Sequence, residues 1–248
     1  MTKDLFSRQA GEYARFRPYY PAAFMEYIMS FVPELQIAWD CATGNGQAAT
    51  LLARRASRVL ATDISARQIA QAAQNPVILY RQCEAEKTPF PNNCFDLITV
   101  AQAYHWLNFD LFGREASRVA KAGAWVAIWG YGLIQTEDKV LQEKINGFYQ
   151  GPVGAYWDPE RKYIDEAYTT VPFPFQEIPT PPFVIPVYWR QDELLGYLRT
   201  WSSVQHYIRQ EAKDPVLELE PLITRHWGND AAQTFWFPLF LRMGRVVK

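Results

Sequence analysis

The sequence predicts an α/β fold, in which a mostly parallel sheet is covered by helices on both faces. Short apolar runs alternate with helical patterns from Gln36 to Gly130, and a turn with two glycines follows the first apolar run. Aspartates stand at the ends of the first two runs. Alternation of this kind is typical of parallel sheets, because two parallel strands need a crossover connection that is usually a helix.

The strands and helices of this alternation follow in chain order. We predict strands over the segments QIAWDC, SRVLATD, VILYRQC, CFDLITVAQ and WVAIWG. Between them we predict helices over QAATLLARRA, ARQIAQAAQ and LFGREASRVA. Ser65 precedes the second of these helices and Gln68 stands three residues later, which is the pattern of a capping box.

Regions with other patterns flank the alternation. The first 33 residues predict two helices, one capped by Asp4 and one beginning at Pro21. Residues 171–186 contain six of the 17 prolines and are predicted to be extended, before a helical segment, DELLGYLRTWSSVQHYI. The segment QTFWFPLFLRMGRV predicts a final strand, which Pro238 favours placing at the sheet edge. We therefore divide the chain into residues 1–33, 34–150, 151–232 and 233–248.

Composition argues against several classes of protein. The chain has 25 basic and 26 acidic residues, and no basic cluster suggests a nucleic-acid surface. No stretch of about 18 apolar residues predicts a membrane span, and the charged N-terminus lacks the apolar core of a signal peptide, so we expect a cytoplasmic protein. Cys41, Cys83 and Cys94 show no CxxC spacing, so we expect reduced thiols and no metal site.

The turn after the first predicted strand, in DCATGNGQAA, has the features of a cofactor-binding loop. Gly44 and Gly46 allow the backbone to approach a ligand closely. Together with Ala49 they also fit the pattern G-x-G-x-x-A of dinucleotide folds, so the loop by itself leaves the identity of the cofactor open.

Acidic residues follow at the ends of the next strands. Asp63 can accept hydrogen bonds from both hydroxyls of a ribose, or it can serve the cap of the next helix. Glu84 ends the third predicted strand and can accept a hydrogen bond from an adenine amino group. Asp96 begins the fourth strand, and we predict a structural role for it.

Several segments, in this order, resemble the successive motifs of class I S-adenosylmethionine-dependent methyltransferases of the type 11-like group. They are Asp40 to Gly46, Asp63, CEAEKTPF, FDLITVAQAYHW and REASRVAKAGAWVAIWGY. More narrowly, YARFRPYYP, TGNGQAA, AQAYHW, LRTWSSVQHY and FPLFLRMGR resemble the branch that includes fungal trans-aconitate methyltransferase. The resemblance implies a Rossmann-like, mostly parallel seven-stranded sheet with an antiparallel last strand, an N-terminal helical lid over the core and a C-terminal helical and aromatic cap.

The resemblance also implies S-adenosyl-L-methionine as the cofactor. It implies that Asp40 and the glycine loop face the methionine part, Asp63 the ribose, and Glu84 with Ala85 the adenine. The full set of candidate cofactor-binding residues is Asp40, Ala42, Gly44, Gly46, Asp63, Ile64, Glu84, Ala85, Ala101 and Tyr13. Two departures from the family pattern are Ala42, in place of the first glycine of D-x-G-x-G-x-G, and the KAGA turn before the fifth strand.

The segment AQAYHW, after the fourth predicted strand, supplies the candidate catalytic residues Gln102 and His105. Ligands of open α/β sheets bind at the carboxyl ends of the strands, which is where this segment lies. We interpret His105 as a pocket wall that orients the substrate, because methyl transfer to a carboxylate needs no base. If the acceptor is an alcohol or an amine, His105 is the candidate general base.

Candidate substrate contacts come from both ends of the chain. Arg17 can bind a carboxylate in a bidentate manner, and indole ring faces can surround a cation. The candidates are Arg17, Tyr19, Trp106, Trp157 and Trp201. Since aromatic residues are too numerous for surface helices here, we also expect Tyr156 and Tyr207 to face the end of the fourth strand with Trp157 and Trp201.

These patterns together predict an enzyme that transfers a methyl group from S-adenosyl-L-methionine to a small molecule, with a carboxylate as the candidate acceptor. The departures at Ala42 and KAGA leave open a protein that binds the cofactor without catalysis, as an interaction or regulatory module. Methylation of RNA or protein is less favoured, because the chain shows neither a basic face nor an added recognition domain. We expect no nucleic-acid and no membrane partner.

Overall fold

The computed structural model describes residues 16–227 and 231–248. The predicted helix capped by Asp4 begins outside these residues, and the candidate Tyr13 lies outside them. The strands are β1 (Ile37–Cys41), β2 (Arg58–Asp63), β3 (Ile78–Gln82), β4 (Phe95–Ala101), β5 (Ala120–Tyr131), β6 (Gln176–Ile178), β7 (Phe183–Trp189) and β8 (Gln233–Arg245). The helices are α1 (Ala22–Ser30), α2 (Gln47–Leu52), α3 (Ala66–Ala70), α4 (Phe109–Val119), α5 (Lys139–Gln150), α6 (Arg161–Asp165), α7 (Gln191–Arg199), α8 (Ser202–Glu211) and α9 (Val216–Trp227).

The strands form one mixed sheet in the order β3-β2-β1-β4-β5-β8-β6, with β7 also paired to β8. The first five strands are parallel to one another, and β8 runs antiparallel to β5. Both β6 and β7 pair with the same side of β8, so they occupy one position of the sheet, as an edge strand broken in two. The prediction of a Rossmann-like, mostly parallel sheet with an antiparallel last strand is therefore confirmed.

The prediction that the final strand lies at the sheet edge was wrong. β8 pairs with β5 on one side and with β6 and β7 on the other. The carbonyl of Pro238 still accepts a hydrogen bond from the backbone N–H of Gly132, one residue beyond the end of β5. Because the missing N–H of Pro238 falls where the β5 ladder stops, an internal strand tolerates this proline.

Aromatic packing attaches α1 to the sheet. Phe24 of α1 is fully buried, and its ring centroid lies 5.4 Å from that of Trp129 on β5 and 5.1 Å from that of Phe183 on β7. Edge-to-face pairs of this kind add to the free energy gained by burial. The contact fixes the chain that leads from Arg17 to the sheet.

The amino end of β4 is fixed by Asp96. Its carboxylate accepts hydrogen bonds from the backbone N–H groups of Gln36 and Ile37, at 3.2 and 2.9 Å, and pairs with Lys121 at 2.6 Å. The structural role predicted for Asp96 is confirmed. Lys121 belongs to the KAGA segment, so this departure from the family pattern supplies a cation that joins β5 to β4 and β1.

Phe24→Ala should lower the free energy of unfolding by about 3–5 kcal/mol, because it removes a fully buried ring from between two strands. Urea denaturation measures the change. Tyr188→Ala on β7 is the control, since its side chain is 72% exposed and its loss should cost about 0.5 kcal/mol. Equal losses for the two variants would contradict this account of α1 packing.

Candidate active site

The turn between β1 and α2 is held by carboxylates from two strands, Asp40 and Asp63. Ala42, Gly44 and Gly46 have φ values of 54°, 58° and 83°, in the left-handed region. Asp63, at the end of β2, accepts a hydrogen bond from the N–H of Gly44 at 2.8 Å and one from the N–H of Ser65, also at 2.8 Å. A Cβ atom at Gly46 would lie 2.3 Å from the Tyr80 hydroxyl, so no side chain fits there.

Asp40 lies beneath this turn and is fully buried. Its oxygens accept hydrogen bonds from the hydroxyls of Thr43 and Thr99. Burial raises the pKa of Asp40 from 3.8 to about 6, although the two hydroxyls act in the opposite direction. Asp40 therefore supports the loop from below. It is not among the described residues that line the cavity.

A cavity of about 670 Å³ opens at the carboxyl ends of β1, β2 and β4. Its volume is within the range of small-molecule sites, roughly 300–1,000 Å³. Eight of the candidate cofactor residues line it: Ala42, Gly44, Gly46, Asp63, Ile64, Glu84, Ala85 and Ala101. Tyr19 also lines this cavity, as do Glu86 and Leu107, which the sequence analysis missed.

A second, smaller space of about 60 Å³ adjoins this cavity, and we call it the aromatic chamber. Its described walls are Arg17, Gln102, His105, Trp106, Tyr131, Trp157, Asp158, Arg161, Ile164, Tyr197, Trp201 and Ser202. Four of these, Arg17, Gln102, Trp106 and Tyr131, also line the larger cavity, so the two spaces meet at the end of β4. The chamber thus lies where a group transferred from the larger cavity would arrive.

The structure brings most of the substrate candidates to this chamber. Trp157 and Trp201 contact each other, with ring centroids 5.4 Å apart. The expectation that Tyr156 and Tyr207 would join them was wrong, because these two rings pack on each other at 4.8 Å and are not among the described chamber walls. In these two segments Trp157 and Trp201 face the chamber, and the tyrosines face away from it.

Gln102 has a left-handed φ of 53° and joins the ends of β4 and β5. Its side-chain oxygen accepts a hydrogen bond from the N–H of Tyr131 at 2.7 Å, and its amide nitrogen donates to the Tyr131 carbonyl at 3.3 Å. The side-chain amide of Gln102 therefore makes the same two hydrogen bonds to Tyr131 that a backbone amide of a paired strand would make. This geometry fixes the wall that the two cavities share.

His105 is 9% exposed, and its Nδ1 lies 2.8 Å from the hydroxyl of Tyr168. Burial raises the pKa of Tyr168, and the backbone N–H groups of His105 and Tyr104 point toward its oxygen. The hydroxyl therefore keeps its proton and can donate it to Nδ1, and we assign to His105 the tautomer that carries its hydrogen on Nε2. In this tautomer His105 offers a donor to the chamber and has no free base there.

The charge state of His105 agrees with this assignment. Burial lowers its pKa from 6.5 to about 3, and the charges of Arg161 and Arg17 act in the same direction. Above about pH 5 the ring is neutral. Its electrostatic surroundings are cationic and suit a bound anion.

Arg161 was not found by the sequence analysis, because an i,i+4 pair with Asp165 is typical of a solvated helix face. Its Nε donates to Tyr149 at 3.0 Å and to Asp165 at 3.2 Å, and the guanidinium lies 4.7 Å from the ring centroid of Trp157. Within residues 16–227 and 231–248 its two terminal nitrogens have no hydrogen-bond partner. Arg17 also lines the chamber and donates to the Tyr131 hydroxyl.

Comparison with known proteins assigns the family. The profile of a methyltransferase domain matches residues 39–128. A protein of Dictyostelium discoideum that is named as a methyltransferase is 30% identical over 251 residues, which cover 98% of this chain and 95% of that protein. The chain belongs to the S-adenosylmethionine-dependent methyltransferases. An uncharacterised methyltransferase of Mycobacterium tuberculosis is 29% identical over 119 residues, 48% of each chain.

Solved structures agree with the assignment of the methyltransferase fold. A protein of Anaeromyxobacter dehalogenans, described as a type II methyltransferase, is 37% identical, with a TM-score of 0.86 over 94% of this chain and 99% of that one. A methyltransferase-like protein of Bacillus halodurans, 18% identical with a TM-score of 0.53, shares the fold over 92% of this chain and 99% of that one. Every helix in the described part of the methyltransferase is too short or too polar to cross a membrane.

The larger cavity of this methyltransferase fits the cofactor of its family. A carboxylate at Asp63 can accept from ribose hydroxyls, and the Glu84 carboxylate can accept from an adenine amino group. Ile64 and Leu107 supply apolar walls for a ring. Ala42 lines the cavity and has a left-handed φ of 54°, a conformation that glycine adopts without the steric cost of a methyl group.

Asp63→Ala should weaken binding of S-adenosylmethionine by about 1–3 kcal/mol, because two ribose hydroxyls lose their acceptor. Calorimetry measures the affinity, and thermal unfolding shows whether the loop is retained. Asp96→Asn, at the opposite end of the sheet, should lower stability and leave the affinity unchanged. Unaltered affinity in Asp63→Ala would remove this residue from the site.

The ring resonances of His105 should stay constant between about pH 5 and 9, because its pKa in the folded state is about 3. NMR of histidine-labelled protein measures this, with His105→Gln used to assign the signals. Since the folded pKa lies below 6.5, the contribution of His105 to stability is complete above that pH and is lost as the pH falls toward 3. Titration of His105 near neutrality would contradict the lowered pKa given above.

Proposed function

We propose that this methyltransferase transfers the methyl group to a carboxylate oxygen of a small acid bound in the aromatic chamber. The observation that carries the proposal is Arg161, which lines a small, largely aromatic space and whose terminal nitrogens have no partner among the described residues. An arginine held in this way is suited to bind a carboxylate. The resemblance of the chain to the branch that includes fungal trans-aconitate methyltransferase supports an acid as the acceptor.

The chemistry that this proposal requires of the protein is mainly alignment. Bound S-adenosylmethionine supplies an electrophilic methyl carbon on a sulfonium, and the methyl-sulfur bond breaks as a carboxylate oxygen bonds to that carbon. Arg17, at the junction of the two cavities, orients the acceptor toward the larger cavity. His105 donates from Nε2 to the acid, and Gln102 fixes the shared wall. No proton has to be removed, which agrees with a histidine that has no free base in the chamber.

The proposed division of the chain follows from these positions. Residues 34–150 supply the cofactor cavity, residues 151–232 the chamber walls Trp157 and Trp201, and residues 233–248 the strand that supports them. In the region 1–33, which the structure describes from residue 16, Arg17 and Tyr19 would act as a lid. We expect the enzyme to act in the cytoplasm, where thiols stay reduced, because its three cysteines are free thiols in the structure.

A panel of small carboxylic acids tests the proposal directly. The purified enzyme is incubated with each acid and S-adenosylmethionine, and release of S-adenosylhomocysteine is measured. A methyl ester is the expected product, and mild alkali should return the acid, whereas an N-methyl or C-methyl product would survive. Cofactor binding without turnover on any acid, or on a metabolite extract, would instead favour the alternative of a binding protein without catalysis.

Arg161→Met should raise the KM for the acid by roughly 10- to 100-fold, the effect of losing a charge-assisted hydrogen bond. The affinity for S-adenosylmethionine should change by less than about 2-fold, because Arg161 lines the chamber and is not among the described residues that line the larger cavity. Arg17→Met should raise the same KM. The matched control is Arg199→Met, because Arg199 pairs with Asp214 and Glu220 away from both cavities. An equal effect in the control would contradict the proposal.

A further inference from the structure

The aromatic chamber contains a buried acceptor that the methyl transfer itself does not use. Asp158 lies just before α6, lines the chamber, and has a side chain that is 9% exposed. Its Oδ2 is buried and has no hydrogen-bond partner, and no other described residue donates to this carboxylate. Among the described walls of the chamber, Asp158 is the sole acidic residue.

His206 does not satisfy this carboxylate. Its Nδ1 lies 3.8 Å from Oδ2 of Asp158, beyond hydrogen-bond distance. The same nitrogen lies 2.9 Å from the carbonyl oxygen of Tyr156, which can only accept, so the Nδ1 hydrogen is directed there. A buried carboxylate without donors is costly, because its charge has lost water and gained no hydrogen bond in exchange. A ligand that carries a hydrogen-bond donor would supply the hydrogen bond that Asp158 lacks.

The chamber also has cationic walls. The guanidinium groups of Arg161 and Arg17 both line it, and both lower the pKa of His105. The chamber therefore presents donors for an anion and, separately, one acceptor for a donor. Since a water molecule needs roughly 10–15 Å³ of such space, a volume of about 60 Å³ admits a fragment of about five non-hydrogen atoms.

We infer that Asp158 determines specificity and that the acid bound in the chamber carries a hydrogen-bond donor, a hydroxyl or an ammonium, near its carboxylate. The carboxylate faces the arginines and the donor faces Asp158. A carboxylate, one or two carbons and a donor atom match the size of the chamber. This inference rests on the proposed function, because it assumes that the chamber binds an acid.

Matched acids of equal size test the inference. The first set is 2-methylpropanoate, 2-hydroxypropanoate and 2-aminopropanoate, and the second is butanoate, 3-hydroxypropanoate and 3-aminopropanoate. Each set holds the number of non-hydrogen atoms constant and changes only the donor. Calorimetry with the protein saturated in S-adenosylhomocysteine measures binding without turnover, and KM is measured separately with S-adenosylmethionine.

In the wild type, at least one donor-bearing acid should bind 10-fold or more tightly than its donor-free partner. Asp158→Ala should reduce that ratio to about 2-fold or less, without weakening the donor-free acid. Asp158→Asn identifies the donor, because its amide oxygen still accepts from a hydroxyl but no longer neutralises an ammonium. Both variants should fold, since the carboxylate makes no described hydrogen bond that they remove, and thermal unfolding checks this.

Asp165→Asn is the matched control, because Asp165 holds Arg161 and does not line the chamber. It should weaken all acids alike and leave the ratio unchanged. A wild type that binds donor-free acids equally well, or an Asp158→Ala variant that keeps its preference, would overturn the inference and leave the proposed function standing. Absence of binding and methylation for every acid would overturn both.

Discussion

The cofactor cavity depends on two carboxylates that hold one turn from below and from the side. Asp40 accepts from Thr43 and Thr99, and Asp63 accepts from the backbone of Gly44. The first of these is costly, since burial raises the pKa of Asp40 to about 6. Because that value lies above the usual 3.8, ionisation of Asp40 lowers stability as the pH rises through 6. The hydrogen bonds hold the backbone of the turn in place beside the cavity.

A second series of contacts connects the sheet to the aromatic chamber and fixes the position of His105. Arg242 on β8 pairs with Glu177 at 2.7 Å and donates to the carbonyl oxygens of Tyr168 and Val171 at 2.9 and 2.7 Å. Tyr168, held at a left-handed φ of 58°, has its hydroxyl 2.8 Å from Nδ1 of His105. The orientation of His105 is thus set by a strand far away in sequence, and its tautomer follows from that orientation.

The larger cavity is indicated by the sequence more fully than the chamber is. Glycines, strand-terminal acids and the segment AQAYHW follow from local order, since the carboxyl ends of parallel strands share one edge. Asp158 and Arg161 gave no such signal, because a charged residue beside a short helix usually faces solvent. Tyr156 and Trp157 are neighbours in sequence, yet one pairs with Tyr207 on the outside and the other with Trp201 in the chamber.

The sequence by itself determined the α/β alternation, the position of the cofactor loop and the family, because each depends on residues close together in the chain. The tertiary structure alone decided that Pro238 lies in an internal strand, that Asp40 supports the loop from beneath, and that Arg161 and Asp158 face the same chamber. These outcomes depend on which elements pack together after long connections. Local patterns of hydrophobicity and charge do not specify these contacts. They indicate whether a side chain is suited to burial, but not which residues it will contact.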